Sequence, residues 1–193
     1  MTRSRRSTPD RRRTGSPSAD AALPEGEAAA AEDADPEAVA RAIVLRRLTR
    51  APQTRAQLTE ALVARNVPEP VIDAVLDRMV EVGLVNDAEY AAMFVRSQRA
   101  TRGLAPRMLA QELRRKGVDE ALIRAELEAI DHDDDRALAE ALVARRASLM
   151  AHLDPEVRSR RLVGMLLRKG FPQGVAFDVV RRALADAELL DEG

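Results

Sequence analysis

A segment of about fifty residues is repeated along this chain, and the repeat constrains the fold more than any other feature. Leu58, Leu109 and Leu162 occupy one repeated position, with offsets of 51 and 53 residues between them. Similar spacings relate two further sets of positions: Leu62, Leu113 and Leu166, and the basic residues Arg65, Lys116 and Lys169. A unit of this size buries little apolar surface alone, so we expect neighbouring units to pack against one another.

Each repeat carries the start and stop signals of helices. The segment Thr54 to Gln57 is a capping box, in which two side chains satisfy the free N–H groups of a helix start. The pair Asp35-Pro36 recurs as Asp154-Pro155, which is typical of an N-cap followed by the first helical residue. Gly117 and Gly170 suit the left-handed conformation that ends a helix. Asn66 stands at their equivalent position.

These signals predict an all-α fold of three tandem three-helix-bundle repeats, elongated or curved, with nine short helices. The predicted repeats are residues 35–84, 85–131 and 132–193. Abundant Ala, Leu, Arg and Glu with only 2% aromatic residues favour helices over sheets. In the first helix we expect an apolar stripe of Val39, Ala42, Ile43 and Leu48.

Residues 1–34 are predicted to form a disordered tail. Its first half is rich in Arg, Ser and Thr, and its second half consists mostly of Ala, Glu, Asp, Pro and Gly. Neither half offers enough apolar surface to offset the entropy of ordering. The arginines of the tail could touch phosphates, but a solvated tail is the simpler interpretation.

The sequence gives no support for catalysis. It contains no Cys and no nucleophile, metal or nucleotide-binding motif, so we predict a protein that is not an enzyme and has no catalytic residue, cofactor or metal. The acidic run 131–135 could suggest a metal site, but carboxylates are also favoured at a helix start, which is the preferred interpretation. No apolar run reaches the ~20 residues of a membrane span. We therefore expect a cytoplasmic protein without membrane contact.

Local basic clusters are the features most suggestive of function, since the net charge is only -1. One cluster lies in the second repeat and one in the third; together they supply the candidate contact residues Arg96, Arg99, Arg102, Arg107, Arg114, Arg115, Lys116, Arg158, Arg160, Arg161, Arg168 and Lys169. Basic residues at helix C-termini can simply complement the helix dipole. That explanation does not cover Arg158 to Arg161, which are predicted to lie near a helix start.

A helix-turn-helix reader of DNA sequence is disfavoured. Its second helix should offer basic or amide side chains to the bases. The corresponding helix of the first repeat instead carries Glu69, Asp73, Asp77 and Glu81. In the second repeat, Tyr90 and Phe94 lie one helical turn apart; they could stack on bases, but this spacing is more typical of a core.

Four segments resemble the RecX family of bacterial regulators of the recombinase RecA. They are Arg55 to Asn66 with Pro68 to Gly83, "GLVNDAEYAAMFVRSQ" (83–98), "ELRRKGVDEALI" (112–123) and "RSRRLVGMLLRKGF" (158–171). The order of these segments and their spacing of roughly 50 residues carry the resemblance, which covers residues 36–186. Asn66, where a glycine would be expected, and the long N-terminal tail depart from the family pattern.

The resemblance implies three three-helix repeats and a non-catalytic regulator in DNA repair, recombination and the SOS response. It implies binding along the groove of the RecA–DNA filament and inhibition of strand exchange, ATP hydrolysis and co-protease activity. The expected partners are the RecA filament and, more weakly and without sequence specificity, single- or double-stranded DNA, with the protein itself a monomer. The alternative function is a helical DNA-binding protein that acts on DNA directly, without RecA.

Overall fold

The protein is described by a computed structural model that covers residues 35–191, with side chains as far as residue 186. Within this range the fold is all-α and contains no strand, which confirms the predicted fold class. The helices are α1 (Pro36–Leu48), α2 (Arg55–Val63), α3 (Glu69–Glu81), α4 (Asp87–Arg102), α5 (Pro106–Arg115), α6 (Glu120–Glu128), α7 (His132–Ala147), α8 (Pro155–Arg168) and α9 (Gln173–Asp191). We call α1–α3, α4–α6 and α7–α9 the first, second and third units. The predicted disordered tail, residues 1–34, lies outside the described residues.

The helix termini form where the capping residues predict them. The Thr54 hydroxyl accepts a hydrogen bond from the Gln57 backbone N–H, and the Gln57 side chain accepts one from the Thr54 N–H. The Asp35 and Asp154 carboxylates each accept a bond from the backbone N–H two residues later. These bonds satisfy donors that would otherwise lack a partner in the first turn. The local sequence therefore fixes where α1, α2 and α8 begin.

Each unit has its own apolar core. The six leucines of the repeat are fully buried, as their spacing predicts: Leu58, Leu62, Leu109, Leu113, Leu162 and Leu166. Tyr90 and Phe94 are also buried, with their rings stacked at a centroid distance of 6.2 Å. The core interpretation of this aromatic pair is thus confirmed. Ala105, which precedes α5 of the second unit, is buried in the core of the third.

The predicted apolar stripe of α1 is confirmed at Ile43 and Leu48, which pack in the core, but was wrong at Val39 and Ala42. Val39 and Ala42 are exposed, whereas Ala40 and Val44 are fully buried together with Ile43. The prediction favoured the larger Val39, but the buried face of α1 packs against α3, and the small side chain of Ala40 lies there. In the second unit the same offset of 51 residues leads to the buried residues Ala91, Phe94 and Val95.

The units are joined by the same two positions at both junctions. The Thr54 hydroxyl donates a 2.6 Å hydrogen bond to the carbonyl oxygen of Lys116. At the next junction the backbone N–H of Ala105, which is equivalent to Thr54, donates a 2.9 Å bond to the carbonyl oxygen of Lys169. The start of one unit's second helix therefore rests on the end of the following unit's second helix.

Glycine is required where these two helix ends meet. Gly117 and Gly170 have positive φ angles of 73° and 93°. A Cβ on Gly117 would overlap the Cβ of Ala56, and a Cβ on Gly170 would lie 2.8 Å from the backbone nitrogen of Met108. Asn66 occupies the equivalent position of the first unit with a φ of 58°. The left-handed turn thus recurs in all three units, but only the two junction positions have glycine.

No helix among residues 35–191 is both long enough and apolar enough to cross a membrane.

Candidate nucleic-acid interface

The candidate basic residues fall into two groups, those neutralised by an acidic partner and those left open. Arg114 belongs to the first group, because its Nε and Nη2 both donate to the Glu120 carboxylate, the Nε bond being 2.7 Å long. This hydrogen bonding raises the pKa of Arg114 and lowers that of Glu120. A guanidinium held in this way is a weak candidate for a phosphate contact.

Arg99 and Arg102 are also paired. Arg99 contacts Asp135 at 2.8 Å, and both side chains are mostly buried. Arg102 contacts Glu112 at 2.9 Å, and its own side chain stays half exposed. Asp135 belongs to the acidic run considered as a metal site. The structure places that run in the first turn of α7, where Asp131 caps the helix, as the preferred interpretation predicted.

Lys116 is used mainly within the fold. Its ammonium group lies 5.3 Å from the centroid of the Phe94 ring, a cation–π contact, and its carbonyl oxygen accepts the bond from Thr54. The cation–π contact holds the side chain against the second unit. This contact leaves the ammonium group less available to an external anion than that of a lysine surrounded by water.

The remaining candidates carry charge that the described residues do not neutralise. Six of them are exposed and form no ion pair with any residue whose side chain the structure describes: Arg96, Arg107, Arg115, Arg160, Arg161 and Arg168. Arg158 is half buried, and its Nε has no hydrogen-bond partner. Arg158, Arg160 and Arg161 all lie in the first half of α8. That helix start therefore presents an exposed positive surface, which helix-dipole compensation does not explain.

Four candidates converge on a cleft between the second and third units, which we call the junction cleft. It has a volume of about 360 Å³ and lies between the C-terminal part of α4, the middle and C-terminal part of α7, and the end of α8. Its cationic lining residues are Arg99, Arg102, Arg145, Arg168 and Lys169, and no carboxylate lines it. Basic residues from three helices that are distant along the chain are thus brought into one positive site.

The surroundings in the junction cleft disfavour the charged form of Lys169. Burial lowers the pKa of Lys169, and the positive charges of Arg102 and Arg145 lower it further. The ammonium group donates a hydrogen bond to the carbonyl oxygen of Arg102, at the C-terminus of α4. That bond satisfies one of its three donors and leaves the others unassigned.

Arg145 is the residue of this site that the sequence analysis missed. It lies near the C-terminus of α7, where a basic residue is ordinarily explained by the helix dipole. Its separation from Lys169 along the chain gives no sign that the two lie near one another. The basic residues of α4, α7 and α8 share a cleft only because of the tertiary packing of these helices.

The acidic helix of the first unit also has a structural role. Asp77 and Asp73 of α3 lie 2.8 Å and 3.3 Å from the two terminal nitrogens of Arg55, at the start of α2. Both carboxylates are well exposed at the surface. A helix with this charge is repelled by phosphate, which supports the view that α3 does not enter a DNA groove.

Comparison with known protein families gives three consecutive matches. The models match in the order described as the first, second and third three-helix domains of RecX, over residues 40–79, 86–127 and 133–184. Each matched segment falls within one of the three units defined above.

Curated relatives and solved structures agree with these matches. The chain is 52% identical over 161 residues to the "Regulatory protein RecX" of Thermobifida fusca, covering 83% of this chain and 86% of that protein. It is 49% identical to the same-named protein of Streptomyces coelicolor, covering 79% and 81%. The crystal structure of RecX from Lactobacillus salivarius has the same fold, with a TM-score of 0.69 at 20% identity and coverage of 77% and 96%. A second crystal structure, of a regulatory protein RecX, gives a TM-score of 0.69 at 25% identity, covering 84% and 81%.

Proposed function

The chain belongs to the RecX family of regulatory proteins, and on that basis we propose that it binds the RecA–DNA filament and inhibits the recombinase. The proposed effect covers strand exchange, ATP hydrolysis and co-protease activity. One observation carries the proposal: the three RecX domains follow one another in order from residue 40 to residue 184. The protein acts by binding, not by catalysis, and works as a monomer on the filament.

The charge distribution supports a filament as the partner. A filament of recombinase on DNA presents phosphates and protein side by side along a groove. The exposed arginines of α8 and the junction cleft offer positive charge on the third unit and at its border with the second. Positive residues that neutralise phosphates release counterions and so contribute affinity that depends on salt.

The direct test is co-sedimentation with filaments. RecA is assembled on single-stranded DNA with a non-hydrolysable ATP analogue and pelleted in the presence of the protein. We expect the protein to appear in the pellet with the filament, and the amount to fall steeply as salt is raised. In parallel, ATP hydrolysis by RecA on DNA should decrease as the protein is added. A protein that stays in the supernatant at low salt and leaves ATP hydrolysis unchanged contradicts the proposal.

A second function, binding to DNA without recombinase, is favoured by one specific observation. The junction cleft gathers five cationic side chains, of which Arg145, Arg168 and Lys169 have no ion-pair partner among the described residues. The two functions are separated by measuring affinity for a labelled oligonucleotide in the absence of RecA. Binding as tight as that to the filament supports direct action on DNA. Binding that is much weaker than that to the filament supports the regulator.

A further inference from the structure

We propose that the junction cleft is a binding site for a phosphate group, and that this group is a backbone phosphate of nucleic acid. The inference deepens the proposed function, since it names one contact by which the protein would hold a DNA-containing filament. The residues that carry it are Arg145 and Lys169, and Arg102 also lines the cleft.

The first argument is the imbalance of charge. Within the lining, Arg99 is neutralised by Asp135 and Arg102 by Glu112. Arg145 and Lys169 have no carboxylate partner among the described residues, although they lie in the same cleft. Two open cations that converge from α7 and α8 repel each other until an anion lies between them. A group with more than one negative oxygen satisfies both at once.

The second argument is desolvation. Lys169 is half buried, and its pKa is lowered by that burial and by the neighbouring arginines. A cation held in such surroundings has lost part of its hydration and regains favourable interactions when an anion binds. Arg168 contributes less, because its Nη1 lies close to Gly164 of the same helix and the side chain follows α8.

The shape of the cleft favours a backbone phosphate over a free nucleotide. Apart from the cations, the lining consists of small and aliphatic side chains with one threonine, and it contains no aromatic ring. A bound nucleotide usually has its base stacked on an aromatic or apolar surface, and base stacking contributes much of the affinity for single strands. A site that lacks an aromatic ring offers the base no stacking platform, so its main contribution is the binding of the phosphate by charge. Such a contact would be independent of sequence.

The first experiment uses the fact that Lys116 and Lys169 are the only lysines in the chain. The side-chain carbon resonances next to both ammonium groups are titrated with pH by NMR, with and without sodium tripolyphosphate. We expect the pKa of Lys169 to rise when the anion is present, because a bound phosphate stabilises the charged form. Lys116, which contacts the Phe94 ring, is the internal control and should change little. Equal changes at both lysines, or none at Lys169, overturn the site.

The second experiment compares neighbouring arginines. Arg145 lines the cleft, whereas Arg146 is exposed on the same helix and does not line it. Affinity for a fluorescein-labelled oligo(dT) of 30 nucleotides is measured by fluorescence anisotropy at low salt. The unaltered protein is compared with the Arg145→Ala and Arg146→Ala variants. We expect about a tenfold loss for Arg145→Ala, since a charge-assisted hydrogen bond is removed, and less than about a twofold loss for Arg146→Ala.

The same variants identify the source of the phosphate. If Arg145→Ala weakens the binding of ATP but leaves oligo(dT) binding unchanged, the cleft takes a free nucleotide and the assignment to the nucleic-acid backbone is wrong. If oligo(dT), ATP and tripolyphosphate binding are all unchanged while filament binding falls, the cleft takes a protein carboxylate and the phosphate site is overturned. Equal losses for Arg145→Ala and Arg146→Ala also overturn it, because the effect would then be general charge.

Failure here is distinguishable from failure of the proposed function. If Arg145→Ala binds oligo(dT) as well as the unaltered protein, the cleft assignment fails, yet the unaltered protein should still sediment with RecA filaments. If the unaltered protein does not sediment with filaments, the proposed function fails whatever the cleft binds.

Discussion

Arg99 and Asp135 form an ion pair of 2.8 Å, between Nη1 and Oδ1, that joins α4 of the second unit to α7 of the third. Their side chains are only 17% and 14% exposed. Removing one member of such a pair leaves the other charged and poorly hydrated, which costs more than the pair itself contributes. The contact therefore ties the two units together at the border of the junction cleft.

Replacing Asp135 by Asn should lower the free energy of unfolding by about 1–3 kcal/mol, since the Arg99 charge loses its partner in a largely buried position. Urea denaturation followed by circular dichroism measures the change. Asp134→Asn is the matched control, because Asp134 is exposed in the same first turn of α7 and has no ion-pair partner among the described residues. Its loss should be at most about 0.5 kcal/mol, from the helix dipole. Similar losses in both variants would contradict the structural role of the pair.

Gly117→Ala should destabilise the protein more than Gly83→Ala. Both glycines have nearly the same positive φ, 73° and 72°, so both variants bear the cost of about 1–2 kcal/mol for a side chain in the left-handed region. Only at Gly117 does the new Cβ meet a neighbour, Ala56, whereas at Gly83 there is open space. We expect a further loss of about 1–3 kcal/mol at Gly117 by thermal or urea unfolding.

The combination of Gly117→Ala with Ala56→Gly tests the cause of that loss. If the overlap with Ala56 is responsible, removing the methyl group on the other side should restore part of the stability. A double variant whose losses simply add would show that the junction does not depend on this close approach.

Thr54→Val should cost about 2 kcal/mol, although valine has nearly the same shape. The hydroxyl caps α2 and also donates to the carbonyl oxygen of Lys116, and Thr54 is fully buried. Each of these bonds contributes about 1 kcal/mol, and the Lys116 carbonyl is left without this donor. Thr54→Ser keeps the hydroxyl and should cost clearly less. Unfolding in urea distinguishes the two, and equal costs would assign the effect to the missing methyl group.

Asp178 should make the third unit sensitive to acid. Hydrogen bonds from Arg136 of α7 and then from Arg181 lower the pKa of Asp178 below its ordinary value. Because the folded pKa lies below the unfolded one, the stability from this carboxylate is present above about pH 4 and is lost as pH falls through the folded pKa. The melting temperature of Asp178→Asn should thus fall less than that of the unaltered protein between pH 6 and pH 3. A parallel fall in both would contradict this assignment.

Reversing the charge of Arg160 and Arg161 together should lower filament affinity and inhibition of ATP hydrolysis while leaving the helical circular dichroism signal unchanged. Both side chains are exposed on α8 and form no described ion pair, so folding does not depend on their charge. The measurement is co-sedimentation with RecA filaments over a range of salt concentrations, in which the variant should show a shallower salt dependence.

The control for that variant should reverse the same amount of charge elsewhere. Asp73 and Asp77 are unsuitable, because both contact Arg55 and their reversal would disturb the start of α2. Arg46→Glu with Arg50→Glu is better matched, since both residues are exposed on the first unit without a described ion pair. If this control loses as much affinity as the Arg160 and Arg161 variant, the binding face has been assigned to the wrong unit.

The sequence was sufficient for features that depend on neighbours along the chain. The caps at Asp35 and Thr54, the buried leucines and the left-handed Asn66 could all be predicted, because each is set within one or two helical turns. Such positions are governed by backbone donors, helical periodicity and the steric limits on φ. The prediction for the start of α1 chose Val39 instead of Ala40, because both are apolar and Val39 is larger. The sequence pattern does not show which of these two neighbours faces the core.

The junction cleft could not be predicted from the sequence, for a physical reason. An arginine near a helix C-terminus can have either of two roles, depending on which residues pack beside it. Arg114 is neutralised by Glu120, whereas Arg145 shares a cleft with Lys169. Which of these occurs is decided by the packing of helices that are distant in the chain, so charge clusters in the sequence overestimate some candidates and miss others.

Because of the glycines at the junctions, the three units differ in their ability to pack against a further unit. The middle unit makes the junction contacts on both sides. Its Ala105 donates a hydrogen bond to the unit that follows, and its Gly117 lies against Ala56 of the unit before it. The first unit has Asn66 in place of this glycine. If another unit were placed before it, the Asn66 side chain would lie against that unit. In the third unit Arg158 stands where Thr54 and Ala105 make their bonds. An engineered array could therefore be lengthened by duplicating the middle unit, but a copy of either outer unit would interrupt it.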